Sequence, residues 1–537
     1  MRTGTKIAAG VGGGVVATAV ILGTVVGTQA APEARVGTGY AAQASCVQHF
    51  INKTGSGPDL PDEPIAKLLS TSFNIPEDKV QASVFGLYAS EAFYTEGVGC
   101  TVAEERPEFK NEVPDIDERV RQVIEAKGIG HPEKPLADGE AQRAVDAAVK
   151  KAFEVDGTRG VVVVKDGNLI SEEYAKDYKA YNAQLGWSMT KSVANVLMGR
   201  VEQLDPDFSV QDSALTGLDW VDTDSGITDG TADGTADSDG TAGSTTTSRE
   251  KKATKADITY SDLLRMQSGL AWDETYDTTG DVARMLYTSS NMGKFVADKD
   301  LEHAPGTYRE YSTGSTTLAC AAMQEKSSVA QRAGVALAWE TLFRPVGMAS
   351  AMISPDAHGT LQCGSSAYAT PRDWAKFGQF VMNNGVVNGR QLLPAGWMKS
   401  SLTEHEVDEV QKNKDGSDPG HYGSGWWLNS ATTGEAAFGS GADDAYGTSG
   451  SASESAGTTG SDGTSSRTGS GSRTHTDDRT YADLPADMFW ADGHDGQFMV
   501  VVPSENLIVV RQGFSPGVGV SSSKTLDIVR AAITATH

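Results

Sequence analysis

The stretch Gly186-Trp187-Ser188-Met189-Thr190-Lys191 sets a serine and a lysine three residues apart. Behind it Val193, Val196, Leu197 and Val201 recur at helical spacing, which predicts a helix from near Ser188 to about Gln203. At the start of a helix, positions i and i+3 share a face, so the ammonium is set beside the hydroxyl. The helix N-terminus also favours negative charge developing near Ser188. A serine hydroxyl is a weak nucleophile until a neighbour takes its proton, and a desolvated lysine with a lowered pKa can do that. The same spacing occurs twice more, at Ser248 with Lys251 in a polar insert and at Ser521 with Lys524 beside the C-terminus. Only Ser188 stands where a strand hairpin feeds a helix with an apolar face. That hairpin runs from Val161 to Lys165 and from Asn168 to Tyr174 around Asp166-Gly167, a type I′ turn signal.

Further along, Gln497 to Val502 and Leu507 to Gln512 read as strands, and a final helix is expected from about Ser521 to Thr536. Strands at both ends of the catalytic region, with helical material between, predict an α/β (α+β) fold. Its antiparallel sheet draws on both ends of that region, is flanked by helices and carries an inserted helical part. Two stretches, near 221–256 and 439–480, read as disordered acidic inserts. The first repeats Asp-Gly-Thr-Ala from Asp229, Asp233 and Asp239, and the second is dominated by Gly, Ser, Thr and Asp. Neither holds enough apolar surface to offset the entropy of ordering it. Residues 31–135 read as an accessory N-terminal region without a chemical motif, and 136–537 as the catalytic domain.

Residues 1–30 combine Arg2 and Lys6 with an apolar run from Ile7 to Thr28 and small residues at Thr28 and Ala30. This is the pattern of an export signal, and the run is also long enough for an uncleaved membrane anchor. The protein is therefore expected outside the cytoplasm, periplasmic or extracellular, touching a membrane only through that segment. Four cysteines in an exported chain point to disulfides, and three pairings are possible. Cys46 and Cys100 bracket one segment while Cys320 and Cys363 sit in the catalytic region, which favours pairing each with its neighbour. Buried free thiols are the alternative. The formal charge of −26 argues against nucleic acid and anionic lipid as partners, because phosphates would be repelled. Part of that charge is local, with seven Asp and no Lys or Arg from Asp219 to Asp239.

Two other stretches carry candidate chemistry. In Pro305-Gly306-Thr307-Tyr308-Arg309-Glu310-Tyr311-Ser312-Thr313 a turn delivers Tyr311 ahead of an apparent helix. A tyrosine is a poor base unless a cation stabilises its phenolate, a task Lys191 could perform; the alternative is a packed aromatic. In Gly493-His494-Asp495-Gly496-Gln497 glycines let a backbone approach a substrate, and a strand-edge N–H can donate to an oxyanion. A lone histidine in a Gly-rich turn, as His494 is, is more often structural.

In order, the hairpin, Gly186 to Lys191, Leu263 to Leu270 (LLRMQSGL), Pro305 to Thr313 (PGTYREYST), Tyr368 to Phe377 (YATPRDWAKF), Gly425 to Asn429 (GWWLN) and Gly493 to Gln497 (GHDGQ) resemble the β-lactamase-related serine hydrolases. The resemblance spans about residues 155 to 515. It is nearest to the class C-like esterases and 6-aminohexanoate-dimer hydrolases, relatives of the penicillin-binding proteins. It implies a β-lactamase/transpeptidase-like fold and a small-molecule acyl substrate, amide or ester, with no cofactor. Ser188 would be acylated, Lys191 would share its proton, and Tyr311 would act first as general base and then as acid toward the leaving group. The N–H groups of Ser188 and Gln497 would form the oxyanion hole, each worth about 3 kcal/mol of transition-state stabilisation. His494, Gly496, Tyr276 and Trp427 would contact substrate, with Tyr276 in a cap and Trp427, or else Trp426, as an apolar wall. The chain departs from the pattern twice. His494-Asp495-Gly496 stands where β-lactamases carry Lys-Thr-Gly, and Thr313 stands where class C enzymes carry Asn. The lost cation weakens the case for β-lactam hydrolysis and strengthens that for esterase or amidase action.

Rival readings fare worse. Gly513-Phe514-Ser515-Pro516-Gly517 matches the nucleophile elbow of other hydrolases, but Pro516 has no N–H to give an oxyanion. The nine histidines are scattered and no metal-binding spacing occurs. A D-alanyl-D-alanine carboxypeptidase or β-lactamase, and a non-catalytic cell-wall-binding module of the same fold, are the alternatives.

Overall fold

The computed structural model describes residues 32–54, 57–60, 69–109, 118–227, 252–439, 479–516 and 520–537. The stretch read as signal or anchor, the bulk of both inserts, and Ser248 with Lys251 lie outside them. Among the described residues no helix is long and apolar enough to cross a membrane.

The hairpin forms as expected, with strands Thr158–Lys165 and Asn168–Tyr174. Asp166 and Gly167 both take positive φ, the requirement of a type I′ turn. Around this hairpin a seven-stranded antiparallel sheet assembles in the order His421–Tyr422, Trp427–Leu428, Phe489–Gly493, Gln497–Val502, Leu507–Gly513, Thr158–Lys165 and Asn168–Tyr174. The late strand Leu507–Gly513 pairs with the early strand Thr158–Lys165, which joins the two ends of the catalytic region.

Alternation along the strands gives the sheet two buried faces. Val161 and Val163 face the helices Gly139–Ala152 and Val520–Thr534, which close one side. Val162 and Val164 face the larger helical layer. At the centre of that layer lies Thr190–Leu204, buried on nearly every face through Val201, its polar Thr190, Lys191, Ser192, Asn195 and Arg200 included. Ser521 falls in the first turn of the C-terminal helix, on the opposite side of the sheet from Ser188, and Lys524 pairs there with Asp527 at 3.5 Å.

The N-terminal region packs directly on the catalytic part. Its helix, 32–46, sends Val36 into the main core and sets Tyr40 edge-on against Tyr287 at 5.1 Å. A four-stranded antiparallel sheet follows, Leu69–Asn74, Lys79–Val84, Leu87–Thr95 and Gly99–Val102. The disulfide Cys46–Cys100 ties helix to sheet, and the Cys100 N–H donates to Ser354 Oγ at 3.1 Å. The second disulfide is Cys320–Cys363. By loop-closure entropy alone it is worth about 4 kcal/mol.

Candidate active site

Ser188 sits in a single 3-10 turn, Trp187–Met189, that opens onto the helix Thr190–Leu204. Trp187 holds φ 47°, a conformation that costs a non-glycine residue about 1–3 kcal/mol and concentrates at functional turns. The turn is pinned from two directions. Gly186 N–H donates to Ala367 O at 2.8 Å, and Ala367 N–H donates to Thr190 Oγ1 at 2.9 Å, so Tyr368 to Phe377 is keyed to the nucleophile. Ser192 Oγ donates to Gly425 O at 2.6 Å and Trp426 Nε1 to Asn195 Oδ1 at 3.2 Å, which keys Gly425 to Asn429 to the same helix.

One helical turn on, Lys191 is 1% exposed, and its Nζ donates to Ser188 Oγ at 2.8 Å, Thr313 Oγ1 at 2.8 Å and Gly364 O at 2.9 Å. All three ammonium protons are thus used. Burial pulls the Lys191 pKa down to about 8, with the charge of Glu274 opposing it. The Cys320–Cys363 bridge lies next to two of these acceptors. Cys363 precedes Gly364, and Cys320 belongs to the helix Thr313–Lys326 that begins at Thr313.

Glu274 was not among the residues singled out from the sequence. Its carboxylate accepts from Thr313 N–H at 2.8 Å, from Thr313 Oγ1, and from Trp272 Nε1 at 2.6 Å. With the hydroxyl proton of Thr313 committed to Glu274, its lone pair is free for Lys191. A directed chain therefore runs from Lys191 through Thr313 to Glu274. Thr313, noted above only as a departure, is the link.

Tyr311 stands just outside the helix Thr313–Lys326, whose N-cap Ser312 accepts from Ser315 N–H. Its ring stacks on Trp427 at 5.6 Å, meets Tyr422 edge-on at 5.8 Å, and lies 4.8 Å from Lys191 Nζ. Burial drives the phenol well above its ordinary value near 10, Tyr422 and Glu274 add to this, and the Ser188 hydroxyl opposes it. Desolvation is the largest influence on this phenol and outweighs the hydroxyl of Ser188. The two tryptophans separate cleanly, Trp426 into the core and Trp427 against Tyr311.

Opposite Tyr311, Tyr276 stacks on His494 at 4.2 Å with rings nearly parallel, and both meet Trp187 edge-on. Burial raises the Tyr276 phenol far above 10, while hydroxyls of Thr313 and Ser188 beside it act the other way. Its buried oxygen has no well-formed hydrogen bond. The His494 side chain is 40% exposed, with Nε2 3.4 Å from Asp495 Oδ1.

Gln497 begins the strand after this turn, paired with Gly493. Gly496 has φ 87°, and its carbonyl accepts from the buried Arg511, which also donates to Thr158 and Ser515 hydroxyls. Ser515 also donates to Asp156 O at 2.6 Å, a structural tie that leaves it no role as an elbow nucleophile. Gly493 lies against the carbonyl of Gly186, leaving no room for a methyl group. Gly493→Ala is accordingly expected to push the strand carrying Gln497 away from Ser188 and lower kcat by about 10²-fold, the scale of one lost oxyanion donor. Steady-state ester hydrolysis beside a thermal melt would separate this from unfolding.

A hydroxyl, a buried amine and a phenol gathered where a two-ended antiparallel sheet meets a helical layer define the β-lactamase/transpeptidase class of serine hydrolase. The Beta-lactamase family model matches residues 145–512, and the chain belongs to that family. Similar solved structures include a protein assigned as a 6-aminohexanoate-dimer hydrolase from Bacillus anthracis, at 16% identity and TM-score 0.51, covering 80% of this chain and 98% of that one. A β-lactamase/D-alanine carboxypeptidase from Yersinia pestis is 14% identical with TM-score 0.46, covering 74% and 99%. The hydrolase EstCE1, described as having promiscuous acyltransferase activity, is 13% identical with TM-score 0.46, covering 73% and 98%. At 16% identity the first of these likenesses speaks to the fold alone. No match is found among curated proteins.

Proposed function

We propose that the chain is an exported serine hydrolase that cleaves a small ester or amide through an acyl-enzyme on Ser188. The observation that carries this is the 2.8 Å contact between Ser188 Oγ and a buried lysine whose pKa is drawn down to about 8. Neutral Lys191 takes the Ser188 proton as Oγ bonds to the substrate carbonyl carbon. Charge on the carbonyl oxygen is met by the N–H groups of Ser188 and Gln497. The tetrahedral adduct then expels the alcohol or amine, which takes its proton from the Tyr311 phenol, and Lys191 restores that proton. Water repeats the sequence with the same groups and releases the acid. A phenol held far above 10 is suited to donate rather than to start as phenolate, so Lys191 is the first base in this scheme.

Tyr276, with its unsatisfied hydroxyl, and Trp427 are the substrate contacts that the packing supports best. His494 adds its exposed edge. The N-terminal segment and two disulfides support export. Missing from the strand turn is the lysine that grips a β-lactam carboxylate, which favours a neutral acyl substrate.

Purified protein lacking residues 1–30 is expected to hydrolyse short p-nitrophenyl esters and to leave a chromogenic cephalosporin nearly untouched. The reverse preference would move the reading to β-lactamase or peptidase. Tyr311→Phe should lose about 10²-fold or more of kcat, and His494→Ala far less, because one residue moves a proton and the other positions substrate. Comparable losses would make His494 a proton-transfer partner.

A further inference from the structure

Two cavities are lined by aromatic residues of the site, though neither by Ser188 itself, and they share no lining residue. One, about 260 Å³, contains Tyr311, Tyr422 and Trp427. The other, about 190 Å³, touches the site through Trp187, Tyr276 and His494. Its remaining walls are largely apolar, and many come from the N-terminal region: Val36 and Tyr40 on the helix 32–46, then Leu60 and Leu69, with Ala283 and Phe514 from the catalytic part.

We propose that this second cavity is the acyl chamber of the enzyme, and that the N-terminal region exists to wall it, which selects substrates with a medium-length or aromatic apolar acyl group. The assignment of sides rests on the proton path in the reading above. The leaving group departs toward Tyr311 and so toward the first cavity, which leaves the acyl half to point past Trp187, Tyr276 and His494. Size supports the class of occupant. A dry apolar cavity of about 150 Å³ accepts a benzene ring, so 190 Å³ holds an aryl group or a short alkyl chain.

The wall is firmly held. Tyr40 packs on Tyr287, Gly39 lies in contact with the Tyr287 carbonyl, Asp59 pairs with Arg159 across the junction, and Cys46–Cys100 fastens the helix behind. Such a wall suits discrimination by size, since forcing extra methylenes into a well-packed space costs about 1–3 kcal/mol. It also gives chemical content to a segment that carries no motif of its own.

The test is a series of p-nitrophenyl esters, acetate, butyrate, hexanoate and phenylacetate, run on the unaltered chain and on Val36→Phe and Ala283→Phe, two replacements that fill the chamber, one from the N-terminal region and one from the catalytic part. The unaltered chain should prefer hexanoate or phenylacetate to acetate in kcat/KM by about tenfold or more, the scale of a methylene or two in an apolar pocket. In each variant that ratio should fall toward one. A flat chain-length profile in a protein that labels with a fluorophosphonate would overturn the chamber and leave the Ser188 chemistry standing. A ratio unmoved in both folded variants would do the same. An unaltered chain that neither labels nor turns over any ester would overturn the chamber together with the reading beneath it.

Discussion

Ser188→Ala is expected to abolish labelling by a fluorophosphonate and to lower ester turnover by roughly 10⁴-fold or more, the scale seen when a nucleophile is removed from a preassembled site. The substitution deletes one oxygen at a position only 9% exposed, so the fold should be retained and the thermal melt nearly unchanged. What remains is an oxyanion cradle and a lysine with no nucleophile to activate. Residual turnover would come from water placed in that cradle. Equal labelling of wild type and variant would instead assign the chemistry to another serine. Absence of labelling in the unaltered chain would favour a cell-wall-binding module that keeps the fold without turnover.

The second large effect concerns Lys191. An amine must shed its proton to accept one from Ser188, so kcat/KM should rise with pH and level off above a midpoint near 8. Glu274 acts on Lys191 in the opposite sense to burial, so Glu274→Gln should move that midpoint to lower pH, whereas a merely structural loss would lower the plateau and leave the midpoint in place. Lys191→Met should remove the pH dependence and about 10³-fold or more of the rate. The same group affects stability in a defined direction. Its folded pKa lies below the ordinary 10.5, so between about 8 and 10.5 the unfolded chain binds more protons, and this lysine makes the fold more stable as pH rises. Below about 8 the cost of holding a buried ammonium is fully present. Urea titrations at pH 7 and 10, with Lys191→Met as reference, would show the slope.

How much could be read beforehand depended on distance along the chain. Ser188 and Lys191 were legible because three residues on a helix fix their relation whatever surrounds them. The hairpin was legible from Asp166-Gly167, since few pairs tolerate two positive φ values in succession. Tyr311 needed the family pattern, because nothing local joins it to a serine more than a hundred residues earlier. Its complete burial was not legible either, since a neighbouring charge can be named from sequence but burial cannot. Glu274 escaped notice because its partner Thr313 lies 39 residues on, across a loop boundary. A faint signal was present in Trp272, Glu274 and Tyr276, which alternate along a non-helical stretch and so share one side. The N-terminal region gave no warning that it would join the main core, because Gly- and Ala-rich helices look alike whether they pack or not.

The sheet that pairs Thr158–Lys165 with Leu507–Gly513 also sets a timetable for reactivity. At about 5–20 residues per second, a growing chain exposes the serine and lysine tens of seconds before Gln497 exists. Until then the pair has no second N–H to steady a negative oxygen. A nascent or truncated polypeptide lacking that donor is therefore expected to turn over esters about 10²-fold more slowly than the finished chain, which limits its effect on the cell that makes it.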